Sequence, residues 1–264
     1  MIALIDGDIL VYECGFSSDA NAKKEYLEAH LAKHKEQLRP EELEEYLDAR
    51  EPVEYALKIV KNKLAELIEM VEADSFEIYI TGDDNYRMEI LPDYKANRDP
   101  THKPHWYKEI KEYLINFQGA IVVEGIEADD ILGIRQCEET DDWTCICSKD
   151  KDLDCIPGWH YNWSPSKVEL GVYWVEEVEA LRFFYTQCLT GDTTDNIPGI
   201  FKLTGKKATK KLKEPLQRMY TELEMYNHVK EAYGDVDFHP TAGCLWIQQA
   251  PDQRWEPPTE EVCA

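Results

Sequence analysis

The sequence predicts an α/β fold with a mostly parallel central sheet flanked by helices, and three observations predict it. Short apolar runs rich in β-branched and aromatic residues alternate with stretches of helical periodicity. Those runs are apolar at successive positions, as strands covered on both faces are. The chain has 264 residues, 43% of them hydrophobic, enough for one large domain or a domain with a smaller annex.

Taken in order, Ile2–Ile5 reads as a buried strand. The opening MIALIDGDIL lacks a basic leader and meets Asp6 and Asp8 at once, so it does not read as a signal peptide. Residues 21–51 are acidic and helix-prone, interrupted at Pro40, which predicts a solvated helical insertion. Pro52–Val71 carries Ala56, Ile59, Val60, Leu64, Leu67 and Ile68 at helical spacing. Phe76–Ile80 is expected as a strand, Trp106–Phe117 as a helix, Ala120–Val123 as a strand, Asp129–Cys137 as a helix and Trp143–Ile146 as a strand. Val168–Trp174 is expected to add an edge strand. From about Glu176 to Tyr233 the pattern is helical, and the Pro-rich tail after Asp237 reads as loosely structured.

Charge and cysteines exclude several function classes. With 29 Lys and Arg against 53 Asp and Glu, the net charge is −24, which excludes a partner held by a uniformly basic surface. Nucleic acid stays open wherever basic residues are localised. No run reaches about 18 apolar residues, so no membrane span is expected. Cys14, Cys137, Cys145, Cys147, Cys155, Cys188, Cys244 and Cys263 form no C-x-x-C and no zinc-chelating spacing; they read as reduced, mostly buried thiols of a cytoplasmic protein.

The functional signal lies where the strands end. Asp6 follows the first, Asp83 and Asp84 the second, Glu127, Asp129 and Asp130 the third, and Asp150, Asp152 and Asp154 the fourth. In a parallel sheet those ends share one edge, where ligands bind. Like carboxylates so crowded cannot all ionise unaided, and a hard divalent cation relieves them; oxygen-only donors favour Mg²⁺ or Mn²⁺. The plainer alternative is that each Asp caps a helix or forms a turn, yet capping needs one acid per helix and these come in pairs and triplets.

Two further clusters stand out. In GDTTDNIPGI, Asp192 and Asp195 are three apart and share a face if that turn is helical; otherwise the segment is an Asx-rich turn before Pro198. It precedes Lys202, Lys206, Lys207, Lys210, Lys211 and Lys213, which after Gly199, Thr204 and Gly205 suit a phosphate cradle, or else a solvated lysine face. Residues 93–111 gather Lys95, Arg98, Lys103, Lys108 and Lys111 with Tyr94, Trp106 and Tyr107, a pattern that suits a single nucleic-acid strand or a flexible linker with two prolines. A helix there would turn Lys95 and Arg98 to one face.

In this order, DGD, GDD…YKANR, EADD, SKDKDLD and GDTTDNIPGI, spread over about residues 4–212, resemble the 5′-nuclease family of flap endonucleases and phage 5′→3′ exonucleases, most closely the phage type. The resemblance implies a PIN-like nuclease domain over 1–178, a helical arch at about 93–111, and a helical DNA-binding subdomain over 179–264 with a helix–three-turn–helix at about 190–213. It implies that Asp6, Asp83, Glu127, Asp129 and Asp150 surround one metal and Asp130, Asp152, Asp192 and Asp195 a second. Lys95 and Arg98 become the catalytic basic pair at the foot of the arch, Tyr94 a ring that stacks on a terminal base, and Lys103, Lys202, Lys206, Lys207 and Lys210 contacts to DNA. Asp8, Asp84 and Asp154 have weaker counterparts. Where the family's turn reads Ile-Pro-Gly-x-x-Gly-x-Gly-x-Lys, Lys202 and Thr204 replace the two later glycines, which argues against a K⁺ ion held by that backbone.

The implied activity is two-metal-ion hydrolysis of phosphodiesters at a 5′ end or flap of duplex DNA or of an RNA–DNA hybrid, in flap or primer removal. The implied setting is a monomer in the cytoplasm (the host's, if phage-encoded), acting on DNA among replication proteins. A PIN-type ribonuclease and a non-catalytic acidic protein, binding Ca²⁺ or mimicking DNA, are the rival readings. The GDTTDN segment with its lysines argues against the first, and the placing of acid at strand ends against the second.

Overall fold

A computed structural model of the chain describes residues 1–138 and 143–259. In chain order the elements are β1 (Ile2–Asp6), α1 (Gly7–Ala29), α2 (Pro40–Asp48), α3 (Val53–Met70), β2 (Ser75–Asn85), α4 (Arg87–Ile90), α5 (Tyr107–Gln118), β3 (Ile121–Gly125), α6 (Ala128–Cys137), β4 (Thr144–Cys147), β5 (Gly158–Tyr161) and β6 (Val172–Val175). There follow α7 (Glu177–Thr190), the short hairpin β7 (Gly191–Asp192) and β8 (Ile197–Pro198), α8 (Ile200–Thr204), α9 (Lys210–Lys213), α10 (Glu222–Tyr233) and α11 (His239–Leu245).

The six-stranded sheet runs β3-β2-β1-β4-β5-β6, parallel except for the antiparallel edge strand β6. Because side chains alternate across a strand, Ala3, Ile5, Cys145 and Cys147 face a core with α1, α3 and α5. Leu4 and Ile146 face the opposite core, built from α6, α7, α10 and α11. The parallel strands therefore end along one rim, and that rim carries the acids.

The structure differs from the sequence expectations in five places. The acidic insertion begins as the second half of α1, whose buried stripe is Gly7, Leu10, Val11, Cys14, Gly15, Ser18 and Ala22. The spacing is helical, but small and polar residues carry it, so hydrophobicity alone hides it. Strand β5 was not expected, because its His160 is polar; the ring is buried and bonded to the Ile156 carbonyl at 2.8 Å. The edge strand starts only at Val172, after a 3₁₀ turn at Val168–Leu170. The tail after Asp237 is not loose: Phe238, Ala242, Cys244, Leu245, Trp246 and Ile247 are buried, with Pro240 in the first turn of α11. Finally, residues 92–106 run as turns and extended chain with no helix before Tyr107, as Pro100 and Pro104 favour. The expected helical arch is replaced by a turn-rich segment, and Lys95, at φ 56°, lies in the left-handed region.

The seven described cysteines are all unpaired; Cys263 lies outside the described residues. Among the described residues no helix is long and apolar enough to cross a membrane.

Candidate active site

Asp6 ends β1 and caps α1, accepting the Ile9 N–H at 3.0 Å, and its other oxygen accepts the hydroxyl of Ser148, just beyond β4, at 2.6 Å. Cap and site residue are thus one side chain. Asp8, in the first turn of α1, accepts the Thr81 N–H at 3.0 Å. At the end of β2 the register against β3 shifts between Thr81 and Asn85, which turns Asp83 and Asp84 out to solvent. Asp84 is fastened by the Gly125 N–H at 2.8 Å. Glu127 is the N-cap of α6 and Asp129 lies in its first turn. Beyond β4, the Ser148 hydroxyl accepts the Asp150 N–H at 2.9 Å, and Asp150 accepts the Asp152 N–H at 2.8 Å.

These four strand ends line one open cleft: Asp6, Asp8, Asp83, Asp84, Glu127, Asp129 and Asp150 surround it, with Lys95, Arg98, Tyr12 and Tyr107 on its walls. A smaller cavity beside it shares Glu127 and Asp129 and adds Asp152, Asp195, Tyr94 and Gln187. Asp192 joins this acid group through a hydrogen bond with Asp152, and accepts the Thr194 N–H at 2.6 Å and the Asp195 N–H at 3.3 Å in an Asx turn, not the helical turn. The acids face common space without closing on one point: among the described residues, no three His, Cys, Asp or Glu side chains already converge at metal-ligand distance.

The crowding shows in the protonation of these groups. Burial, then the charge of Asp8, pushes Asp6 up to about 7. Burial followed by Asp6, Asp150 and Glu127 raises Asp129 well above the ordinary carboxylate range, and burial raises Asp150. Asp152 rises to about 7 through burial, the Asp150 charge and a hydrogen bond shared with Asp192, whose own value falls because that bond and two backbone N–H groups outweigh its burial.

The two segments carrying YKANR and GDTTDN are stitched together. The Lys95 N–H donates to the Asp195 carbonyl at 2.9 Å, Asn97 to the Thr193 carbonyl at 2.8 Å, and Asn196 to the Asp93 carbonyl at 2.7 Å. Lys95 pairs with Glu127 and lies 3.6 Å from Asp195, and Arg98 pairs with Asp195. The cationic pair converges on the acids through a turn, where a helix was expected.

Two sequence expectations are corrected. Asp130 is not available to a metal: it is fully buried, gripped by both Arg87 Nη atoms at 2.7 and 2.8 Å, and its oxygens also accept the N–H groups of Glu127 and Gln248 at 3.0 and 3.1 Å. Nor does Tyr94 offer a face for stacking. It is 4% exposed, with its hydroxyl 2.8 Å from Glu127 and 3.0 Å from Asp195, where it donates to the acid group.

The predicted DNA contacts are exposed and peripheral. Lys103 stands over the Tyr107 ring at 4.4 Å. Lys202 reaches Asn196 at 3.0 Å, Lys206 the Ala232 carbonyl at 3.0 Å, and Lys210 pairs with Glu214 at 3.3 Å; with Lys207 they lie on and between the short helices α8 and α9. Sequence reasoning missed Ser148, Asn85, Arg87 and Tyr12. Tyr12 follows Asp8 by four residues on α1 and was legible once that helix was recognised; Arg87, a lone cation between Tyr86 and Met88, carried no signal.

A family model described as 5′-3′ exonuclease, N-terminal resolvase-like domain, matches residues 2–160. Among similar proteins, DNA polymerase I of Rhizobium leguminosarum is 33% identical over 156 residues, 55% of this chain and 15% of the relative. The thermostable DNA polymerase I of Thermus aquaticus is 31% identical over 196 residues, covering 69% and 23%. A 5′-3′ exonuclease of Buchnera aphidicola is 26% identical over 179 residues, covering 61% and 55%. The chain thus spans less than a quarter of these polymerases and about half of that exonuclease. In fold it is similar to the bacteriophage T5 flap endonuclease solved with DNA and metal ions, with TM-score 0.55, 16% identity and coverage of 95% and 89%. It is also similar to the T5 5′-exonuclease solved with zinc, with TM-score 0.54, 15% identity and coverage of 92% and 88%.

Proposed function

Because the chain belongs to the 5′-3′ exonuclease family, matched through its N-terminal resolvase-like domain, we propose that it hydrolyses phosphodiesters at 5′ ends and flaps of duplex DNA with Mg²⁺ or Mn²⁺ as cofactor. The observation that carries this reading is the meeting of Asp6, Asp83, Glu127, Asp129 and Asp150 in one cleft from four separate strand ends. The donor set fits such ions: every acid there offers oxygen, and among the described residues no His or Cys joins them. That one T5 enzyme is solved with divalent zinc ions and another with DNA and metal ions supports a metal and DNA as ligands here.

Asp6, Asp83, Glu127, Asp129 and Asp150 would hold one ion, and Asp152, Asp192 and Asp195 a second beside it. Bound there, the ions supply an activated water and a stabilised leaving oxygen. The chain's own residues do the rest. Lys95 and Arg98 reach the cleft from the 92–98 turn, where their cations orient the phosphate and match the charge growing on its oxygens. Ser148 and Asn85 hold Asp6 and Glu127 in place. Lys202, Lys206, Lys207 and Lys210 grip the duplex, so residues 179–264 supply DNA contacts and residues 1–178 the chemistry. RNA–DNA hybrids are further substrates of this reading, and a cytoplasmic monomer working with replication proteins is its setting.

The test is incubation with 5′-labelled blunt, flapped and RNA–DNA duplexes in Mg²⁺. Short 5′ products or cleavage at the flap base, lost in EDTA and in Asp150→Ala while DNA binding survives, are expected. Cleavage that persists in EDTA, or in Asp150→Ala, contradicts the assignment.

A further inference from the structure

Arg87 belongs to none of the sequence motifs, yet it is among the largest fully buried side chains of the molecule, at 2% exposure. Its Nε donates to the Cys244 carbonyl at 2.9 Å and its Nη2 to the Trp246 carbonyl at 2.6 Å. Nη1 and Nη2 grip the two oxygens of Asp130, and Nη1 also lies 3.4 Å from Glu127. Each Asp130 oxygen thus accepts one guanidinium N–H and one backbone N–H, from Glu127 or Gln248. A carboxylate has about four acceptor sites, and all are used.

We infer that Arg87 is a positioning residue: through Asp130 it locks the first turn of α6, and with it Glu127 and Asp129, against the C-terminal segment Cys244–Gln248. The inference rests on the nuclease reading above and extends it. The metal affinity of the cleft then depends on a contact made outside it. The geometry requires a planar fork, because one group must serve two carboxylate oxygens and two carbonyls together, which a lysine ammonium cannot do. Buried charge pairs are costly to form and are weak grounds for stability, so the lock's effect belongs in the site's geometry. Supporting contacts of this kind typically change metal affinity by about 10- to 100-fold.

The experiment compares wild type with Arg87→Lys and with the double variant Arg87→Met/Asp130→Leu, which leaves no stranded charge. Mn²⁺ alone is titrated calorimetrically, and thermal unfolding and single-turnover cleavage are followed on the same samples. Both variants, while folded, are expected to bind Mn²⁺ at least about tenfold more weakly and to cleave more slowly, with metal-free DNA affinity unchanged. If Arg87→Lys does not fold, Arg87→Gln, which keeps Asp130 in place, is used beside the double variant instead. Folded variants that bind Mn²⁺ within twofold of wild type overturn the lock and leave the nuclease reading intact. A direct ligand role for Asp130 would show as loss in the double variant alone, and that too overturns it. Wild type that neither binds Mn²⁺ nor cleaves defeats the nuclease reading itself.

Discussion

Tyr94 shows how one hydroxyl can serve an acid-rich site. It donates into the space between Glu127 and Asp195, which come from segments remote in sequence. A hydrogen bond to a charged acceptor contributes about 1.5–3 kcal/mol. Tyr94→Phe is therefore expected to lower stability by an amount in that range and to slow single-turnover cleavage about tenfold, while 5′-end affinity stays unchanged; a loss of affinity alone would restore a stacking role. Lys95 is the opposite case, a cation whose partners are acids of the cleft. Lys95→Ala should reduce the single-turnover rate far more than it weakens DNA binding, and an unchanged rate would remove Lys95 from the chemistry. Both residues were legible as part of YKANR, but their surroundings were not. Burial of the Tyr94 ring and the left-handed backbone at Lys95 follow from contacts with the 193–196 loop, about a hundred residues away, which no local pattern encodes.

Helix α6 carries Glu127 and Asp129 at its start and packs by its middle on the end of the chain. Gly133 faces the Gln248 carbonyl so closely that a Cβ would collide with it, and Ile156 and Ile247 crowd the same spot. Gly133→Ala is accordingly expected to destabilise the protein by about 1–3 kcal/mol in urea unfolding, as overpacking does. A neutral effect would mean that the C-terminal segment is not held there. At this scale the sequence was readable where apolar residues repeat regularly: α3, β1, β3 and β4 lie close to expectation, whereas β2 runs on past Ile80 to Asn85. It was opaque where packing uses Gly, Cys and Ser, as on α1, or a satisfied histidine, as in β5. The C-terminal segment misled through its prolines, since PTAGCLWI is apolar enough to enter the core.

The whole molecule carries a charge of −24 and concentrates acid along one rim of the sheet. Asp6 holds its proton to about 7 in the folded state against an ordinary 3.8. Between those values the folded protein binds a proton that the unfolded chain has released, so raising pH costs stability. Asp129 and Asp150, also raised, act in the same direction. The unfolding temperature without metal should fall from pH about 5 to about 8, and Mg²⁺ should raise it more at the higher pH, because ligand binding stabilises by mass action; a flat profile would mean the cluster is not strained. DNA affinity should drop steeply with salt despite the acidic surface, since the proposed contacts come from localised lysines. The positions of the acids were readable from strand ends, because topology alone sends parallel strand ends to one rim; which acids stay free was not, because Arg87 claims Asp130 through tertiary contacts. The most direct measurement is a Mn²⁺ titration of wild type beside the double variant Asp6→Asn/Asp150→Asn, with unfolding followed in parallel. Tight binding by wild type and loss of at least about tenfold in a still-folded variant is the result expected. Equal stoichiometry and affinity in the two proteins would contradict a metal centre built from these strand ends.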